Sequence, residues 1–324
     1  MNIARRTLIV ALAMAAVSTG STVAAEPVRK AMFIIVDGIP ADVVERESTP
    51  VFDDIAGAGG YTRSWVGGEP GGPSESPTVS AVGYMSLITG TWSNKHNVYS
   101  NSVDDPDYRY WDIFRIAKTH DPSISTAVYS TWTDNRTKLL GDGLAAAGGH
   151  KLDYYFDELE LDLDSYPVEE HADHIREIDD RVVADAARHV SEHGPDLSWI
   201  YLQHTDDIAH RYGDSTELNA ALAEMEKRVG IVWDAIKKRE AEHDEVWLLI
   251  VTTDHGRDAT SGRHHGGQSA RERTTWIVTN SRQLNDRFED DPPIVDILPS
   301  IATFMDLSIP AEIAAQLDGV SFID

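Results

Sequence analysis

Carboxylate and imidazole side chains follow three separate apolar runs of the sequence, and their types suit the binding of metal ions. The candidate ligands are Asp37, Asp206, His210, Asp254, His255 and either His264 or His265. Oxygen and nitrogen ligands without thiolate suit zinc, and manganese or iron is also compatible with them. Two metal ions that share about six protein ligands would hold a phosphoryl group between them. The set therefore indicates a two-metal site for phosphoryl chemistry.

A candidate nucleophile lies in the stretch from Ser76 to Gly90. Glycine- and proline-rich residues 67–73 lead into a run of small hydroxyl residues, and a short apolar segment then ends at Thr89-Gly90. This pattern predicts a loop that delivers a hydroxyl to the N-terminus of a helix, with Gly90 as its C-terminal stop. The partial positive charge of a helix N-terminus suits an anion. Ser80 is therefore a candidate metal-activated hydroxyl, and a simple helix cap is the alternative interpretation.

The elements that must position these side chains alternate between strand and helix. Continuous apolar runs predict buried strands at residues 30–36, 124–129, 197–202, 246–251 and 274–278. Helices are predicted at residues 49–58, 111–120, 169–193, 217–243 and 295–307. Four histidines in or beside the third of these, at positions 171, 174, 189 and 193, are interpreted as solvent-exposed. The alternation predicts an α/β fold with a mainly parallel sheet and helices on both faces, and such sheets bind ligands at the carboxyl ends of their strands.

Residues 1–25 have the pattern of an export signal. Arg5-Arg6 form a basic start, and the apolar segment at 8–17 is too short to span a bilayer. Val23-Ala24-Ala25 has the small residues of a cleavage site. The arginine pair fits both a twin-arginine signal and an ordinary Sec signal. We therefore expect residues 26–324 to form a single catalytic domain that is periplasmic or secreted.

Composition excludes several classes of site and partner. The chain of 324 residues contains no cysteine, which excludes disulfides, thiolate metal sites and a cysteine nucleophile. Its formal net charge of −26 argues against polymeric nucleic acid and anionic membranes as partners. A small anionic substrate needs a local source of positive charge, which a bound metal would supply. No second long apolar run follows residue 25, so no integral membrane contact is expected.

The chain resembles the alkaline phosphatase superfamily and, within it, the type I phosphodiesterase/nucleotide pyrophosphatase branch. The motifs that carry this resemblance are Val36-Asp37-Gly38, residues 77–90 with Lys95-His96 and Asn101, residues 206–210, Asp254-His255-Gly256, His265-Gly266-Gly267, residues 295–299 and residues 318–321. They extend over nearly the whole chain after residue 25. The resemblance implies an alkaline phosphatase-like three-layer α/β/α sandwich with a mainly parallel central sheet.

The resemblance also implies a role for each motif residue. One of two zinc ions would be held beside the nucleophile by Asp37, Asp254 and His255, and the other by Asp206, His210 and His265. His265 is preferred to His264 because the family's last ligand precedes a glycine. The nucleophile falls on Ser80, which would also contact metal, with Thr78 as the fallback. Attack by Ser80 on phosphorus would form a phosphoseryl intermediate that water then hydrolyses.

The chain departs from the family pattern around the nucleophile. The nucleophile of the family is commonly threonine with asparagine three positions later, and here these residues are Ser80 and Gly83. Asn101 and Arg263 are the candidate substrate-binding residues that would compensate at the phosphoryl group. We expect a hydrolase of small phosphorylated substrates, a nucleotide among them, that prefers diester or pyrophosphate bonds. The alternatives are a phosphomonoesterase on the same site and a non-catalytic binding protein on the same fold.

Overall fold

The computed structural model describes residues 26–168 and 173–324. The strands are β1 (Val28–Val36), β2 (Gly60–Trp65), β3 (Thr126–Ser130), β4 (Tyr154–Phe156), β5 (Leu197–Leu202), β6 (Glu245–Thr252) and β7 (Thr274–Thr279). They form a seven-stranded sheet in the order β2-β7-β6-β1-β5-β3-β4. The expected export signal at 1–25 and the start of the helix expected at 169 lie outside the described residues.

Helices cover both faces of this sheet. They are α1 (Ala41–Arg46), α2 (Pro50–Ala58), α3 (Ser80–Thr89), α4 (Ser93–His96), α5 (Ile113–His120), α6 (Asp173–His193), α7 (His204–Tyr212), α8 (Thr216–Glu242), α9 (Ala270–Arg273), α10 (Asp286–Glu289), α11 (Ile297–Phe304) and α12 (Ala311–Ala314). None of these described helices is long and apolar enough to cross a membrane. The helix expected at 295–307 is a 3-10 turn followed by the shorter α11.

The core has two layers, one on each face of the sheet. In β1, Phe33 and Ile35 pack with apolar residues of α3, α5 and α11, whereas Met32 and Ile34 pack with those of α2, α6 and α8. All four side chains are fully buried. A strand that is buried on both faces explains why its sequence is continuously apolar rather than alternating. The result is the expected α/β/α sandwich.

The central strands are parallel and end together. β1 lies between β5 and β6 and is parallel to both, with Val36 opposite Leu202 and Ile35 opposite Thr252. The residues that follow these three strands therefore emerge at one edge of the sheet. The consecutive strands β5 and β6 lie on opposite sides of β1, and ligands of such sheets bind in the crevice at the carboxyl ends of the strands. β7 is antiparallel to its neighbours β6 and β2, and the other strand pairs are parallel. The sheet is therefore mainly parallel, as predicted.

One expectation about the surface is wrong. His189 of α6 is buried, and its Nδ1 lies 2.6 Å from the hydroxyl of Tyr129. Its ring also stacks on Tyr154 at a centroid distance of 3.8 Å. Burial lowers the pKa of His189, so this histidine is a neutral packing residue beneath the sheet rather than a solvated one.

Candidate active site and metal centre

The Ser76–Gly90 stretch folds as the sequence predicts. Ser80 is the first residue of α3, and the residue before it has extended backbone angles. Gly90 ends the helix in the left-handed conformation with φ of 61°, where glycine has no steric penalty. The hydroxyl of Ser80 is nearly buried, and its Oγ lies 3.2 Å from Nε2 of His255. The main-chain N–H of Ala81 donates to Oδ1 of Asn101 at 3.0 Å, which ties the later loop to the start of the helix.

The first ligand group lies at the ends of β1 and β6. Nε2 of His255 is 3.5 Å from Oδ1 of Asp37 and 3.2 Å from Oδ2 of Asp254. Both of these carboxylate oxygens are buried, and neither has a hydrogen-bond donor. Unpaired buried carboxylate oxygens are costly unless a cation binds them. The donor set of Asp37, Asp254 and His255 therefore fits a metal ion.

The other oxygen of each carboxylate is held in place by the protein. The hydroxyls of Tyr84 and Tyr201 both donate to Oδ2 of Asp37, that of Tyr201 at 2.7 Å. The main-chain N–H of Gly38 donates to Oδ1 of Asp254 at 3.1 Å. Nδ1 of His255 lies 3.0 Å from the main-chain oxygen of the next residue, so a proton on Nδ1 leaves the Nε2 lone pair facing the carboxylates.

The second ligand group combines the first turns of α7 with the loop after β6. Asp206 and His210 lie one helical turn apart on the same face of α7, with Oδ2 and Nε2 separated by 3.4 Å. Nε2 of His265 is 3.0 Å from Nε2 of His210 and 3.8 Å from Oδ1 of Asp206. Nδ1 of His265 lies 2.9 Å from the main-chain oxygen of Thr78, so a proton on Nδ1 leaves the Nε2 lone pair facing His210 and Asp206. This donor set also fits a metal ion.

The two groups are adjacent, because His255 of the first group lies against Asp206 and His265 of the second. The rings of His255 and His265 stack with centroids 3.7 Å apart, and Asp206, His255 and His265 also form a group of close ligand atoms. Burial raises the pKa of Asp254 to about 7. Burial, followed by the charges of Asp206 and Asp254, raises the pKa of Asp37 well above its usual range. The site therefore concentrates carboxylates that need nearby cations to ionise.

The sequence matches a known family model over most of its length. The family model for type I phosphodiesterase / nucleotide pyrophosphatase matches residues 31–302. The chain belongs to this family. Its fold is that of the alkaline phosphatase superfamily, as the sequence predicts.

Relatives of this phosphodiesterase-family chain include an uncharacterized pyrophosphatase/phosphodiesterase of Schizosaccharomyces pombe. It is 25% identical over 248 residues, which are 70% of this chain and 44% of the relative. The chain thus spans less than half the length of that protein.

Solved structures share the fold. The phosphonate monoester hydrolase of Agrobacterium radiobacter is 14% identical with a TM-score of 0.62, over 91% of this chain and 76% of that one. An inactive variant of murine ectonucleotide pyrophosphatase / phosphodiesterase 5, in complex with AMP, is 14% identical with a TM-score of 0.60. The match covers 87% of this chain and 96% of that one. At these identities the likeness concerns the fold alone.

A cavity of about 310 Å³ opens beside the ligand groups of this family member. It is lined by Asp37, Ser80, Tyr84, Asn101, Trp132, Asp134, Tyr201, Gln203 and Asp206. No lysine or arginine is among these described residues. A larger cavity of about 740 Å³ opens at the amino ends of β1 and β6 and is lined by none of the candidate ligands. The smaller cavity, which contains Ser80, is therefore the candidate substrate site.

Of the other residues that the sequence indicates for the site, only some lie at the cavity or in a ligand group. The hydroxyl of Thr78 donates to the main-chain oxygen of Gly267 and accepts from the main-chain N–H of Gly266. Thr78 is not among the residues that line the cavity. Asn101 lines the cavity beside Ser80. Arg263 is exposed and is not among the residues that line the cavity, so the geometry does not place it as a substrate contact. His264 is exposed as well, and His265 is the neighbour that joins the ligand group.

Several cavity residues were not predicted as site residues. Trp132 and Asp134 follow β3, and Gln203 follows β5, at the same edge of the sheet as the ligands. Their positions after apolar strands are the signal that indicates them. Tyr201 lies within a strand and gives no such signal, because its role depends on the side chain reaching Asp37.

Proposed function

We propose that this chain is an exported, two-metal phosphoric ester hydrolase that cleaves phosphodiester or pyrophosphate bonds through a phosphoseryl intermediate on Ser80. The observation that carries the proposal is the position of the Ser80 hydroxyl. It lies at the N-terminus of α3, 3.2 Å from Nε2 of His255, and beside two carboxylates whose inward oxygens have no donor. Membership of the phosphodiesterase family supports the reaction class.

The residues that would hold the two metal ions are Asp37, Asp254 and His255 for one, and Asp206, His210 and His265 for the other. Zinc is the metal that these donors suit best, with manganese or iron as alternatives. When bound, the metals would lower the pKa of the Ser80 hydroxyl and neutralise charge on the phosphoryl oxygens. Ser80 would itself be a ligand of the metal in the first group.

The chemistry of the chain's own residues follows from their positions. Oγ of Ser80 gives its proton to solvent and forms a bond to phosphorus, while the bond from phosphorus to the leaving alcohol or phosphate breaks and a leaving alcohol takes up a proton from solvent. Water then cleaves the Oγ–phosphorus bond and restores Ser80. Asn101 accepts from Ala81 through Oδ1, so its Nδ2 is the atom left to donate to a phosphoryl oxygen.

The charge of the cavity favours a diester. Because no lysine or arginine is among its lining residues, the positive charge for the substrate would come from the metals and the N-terminus of α3. A monoanionic diester needs less positive charge than a dianionic monoester. Trp132 offers an aromatic surface to an organic substituent, and the AMP bound by the murine neighbour supports a nucleotide as one substrate class. A phosphomonoesterase on this site is the alternative.

Export remains a proposal that rests on residues 1–25. Their basic start, apolar segment and small-residue end are those of a signal peptide, and they precede a family domain that begins at residue 31. We infer that the mature protein acts in the periplasm or outside the cell. Expression of the full chain, followed by N-terminal sequencing of the exported protein, tests this, and an unprocessed N-terminus in the cytoplasmic fraction contradicts it.

The function is tested with p-nitrophenyl thymidine monophosphate and p-nitrophenyl phosphate. The zinc-loaded protein should hydrolyse the diester faster than the monoester, and chelation should abolish both activities. Ser80→Ala should eliminate turnover and the covalent phosphate detected by mass spectrometry, whereas Thr78→Ala should still form that adduct. Turnover that survives chelation or Ser80→Ala contradicts the mechanism, and a faster monoester rate supports the alternative. Zinc binding without turnover of any ester supports a binding protein instead.

A further inference from the structure

A buried arginine lies directly behind the second ligand group. The side chain of Arg257 is fully buried, two residues after His255. Its Nη2 donates to Oδ1 and to the main-chain oxygen of Asp206, the latter at 3.1 Å, and its Nε donates to the main-chain oxygen of Gly38 at 3.1 Å. One guanidinium therefore connects the residues that follow β1, β5 and β6.

Gly38 leaves the space that the guanidinium occupies. A Cβ built on Gly38 would collide with Nη2 of Arg257 and would lie 2.7 Å from Oδ1 of Asp206. The φ angle of Gly38 is 67°, which side-chain-bearing residues rarely adopt. The absence of a side chain at this position is thus a condition for the contact between Arg257 and Asp206.

Arg257 binds one oxygen of Asp206 and leaves the other oxygen facing His210. Oδ1 is engaged by Arg257, whereas Oδ2 is 3.4 Å from Nε2 of His210. Although burial disfavours its charged form, the charge of Arg257 holds the pKa of Asp206 well below its usual range. In the first group the corresponding donors, the hydroxyls of Tyr84 and Tyr201, are uncharged. The two ligand groups therefore differ in what holds their carboxylates.

We propose that Arg257 is a positioning residue for the second metal site. It fixes the Asp206 carboxylate with Oδ2 facing His210 and with Oδ1 3.8 Å from Nε2 of His265, so that binding at this site depends on Arg257 while binding at the first site does not. This inference rests on the proposed two-metal function. Two effects of removing the arginine oppose each other: loss of orientation weakens metal binding, and loss of a positive charge strengthens it. Orientation should prevail because three acceptors lose a donor together, the buried main-chain oxygen of Gly38 and two oxygens of Asp206.

The test measures zinc binding by metal-free protein in competition with a chromophoric chelator. The parent protein should bind two equivalents. Arg257→Met should keep the affinity of one equivalent and weaken the other by about 10- to 100-fold, the usual effect of removing a partner of a metal ligand. Asp206→Asn should weaken the same equivalent, and the double variant should lose little more than either single one. Arg257→Lys keeps the charge but cannot reach all three acceptors, so it should behave like Arg257→Met.

Controls separate positioning from general destabilisation. Arg239 is also nearly buried and pairs with Glu245 away from the site, so Arg239→Met should lower stability and leave both zinc equivalents unchanged. Gly38→Ala should displace the guanidinium without altering Arg257, and because the Gly38 N–H also donates to Asp254, it should weaken both zinc equivalents. Gly71 has a φ of 71°, similar to that of Gly38, but nothing lies near the position of its Cβ. Gly71→Ala should therefore leave both zinc equivalents intact.

The possible outcomes are distinct. Selective weakening of one equivalent in Arg257→Met, with a matching change in the visible spectrum of the Co²⁺-loaded protein, supports the proposal. Equal weakening of both equivalents in that variant, no change, or tighter binding overturns it. Fewer than two equivalents in the parent protein instead contradicts the two-metal function on which the proposal rests.

Discussion

Gly83 of α3 lies directly against Asp254. A Cβ built on Gly83 would be 2.7 Å from the main-chain oxygen of Asp254 and 2.9 Å from its Cβ. The family pattern has asparagine at this position, and here no side chain of any kind fits without moving a candidate metal ligand. The glycine is therefore a packing requirement of this chain. Asn101 lines the cavity, and its side chain accepts from the N–H of Ala81, the residue after Ser80.

Gly83→Ala should lower both thermal stability and zinc affinity, although alanine is the better helix former. The matched control is Gly57→Ala in α2, an exposed helical glycine with nothing near its Cβ. Gly57→Ala should stabilise the protein by about 0.5–1 kcal/mol through helix propensity. Thermal unfolding and chelator competition measure the two effects. A stabilised Gly83→Ala variant with unchanged zinc binding would show that α3 can move away from Asp254.

The uncharged donors to Asp37 should tune the first metal site. Tyr201→Phe removes the 2.7 Å hydrogen bond to Oδ2 of Asp37, and Tyr84→Phe removes the second one. Each change should weaken one zinc equivalent by about 10-fold or more, because the carboxylate loses a donor that orients it. Tyr129→Phe is the control, since Tyr129 is also buried but its partner is His189 on the other face of the sheet. If all three variants bind zinc equally well, the tyrosines do not orient Asp37.

Much of this arrangement could be predicted from the sequence. The buried parallel strands give continuous apolar runs, and the ligands follow those runs, so both the sheet and the convergence of Asp37, Asp206 and Asp254 are predictable. β2 and β4 have no counterpart among the predicted strands. Both lie at edges of the sheet, where short or alternating segments leave little apolar signal.

The rest depends on contacts between residues that are far apart in the chain. Arg257 resembles any loop arginine in sequence, and only the packing of three loops buries it against Asp206 and Gly38. His189 resembles a surface histidine until the sheet places Tyr129 beside it. Arg263, in contrast, has the right charge for a phosphate but is exposed and is not among the residues that line the cavity. Local patterns predict where strands end, and they do not predict which side chains meet there.

The metal-free protein should lose stability as pH rises. Burial raises the pKa of Asp254 to about 7 in the folded state, against an ordinary aspartate value of 3.8 in the unfolded chain. Between these values the folded state binds the proton and the unfolded state does not, so the stabilisation present at low pH declines as pH rises through about 7. Thermal unfolding from pH 5 to pH 8 measures this, and Asp254→Asn should flatten the profile.

Zinc affinity should show the opposite trend. Metal binding requires the ionised carboxylates, so protons compete with zinc and its affinity should rise with pH up to and beyond about 7. Chelator competition at several pH values measures this in the same buffers. A zinc affinity that does not change across this range would show that Asp37 and Asp254 are already ionised without metal.

Asn101 should stabilise the transition state of the reaction and contribute little to the stability of the fold. Its Oδ1 accepts from the N–H of Ala81, and Nδ2 is the donor left for the substrate. Asn101→Asp keeps the acceptor, removes the donor and adds a negative charge beside the phosphoryl group. We expect kcat/KM for the diester to fall by about 10²- to 10³-fold, the range seen when one donor to a developing oxyanion is lost.

The control for the added charge is Asn94→Asp, an equivalent change at an exposed residue of α4 outside the cavity. It should leave kcat/KM unchanged, because a solvated charge is screened by salt. Asn101→Asp should still bind two zinc equivalents and unfold at a similar temperature, since the hydrogen bond to Ala81 is retained. A loss of zinc or of stability in Asn101→Asp would make Asn101 a structural residue, whereas unchanged kcat/KM would remove it from the site altogether.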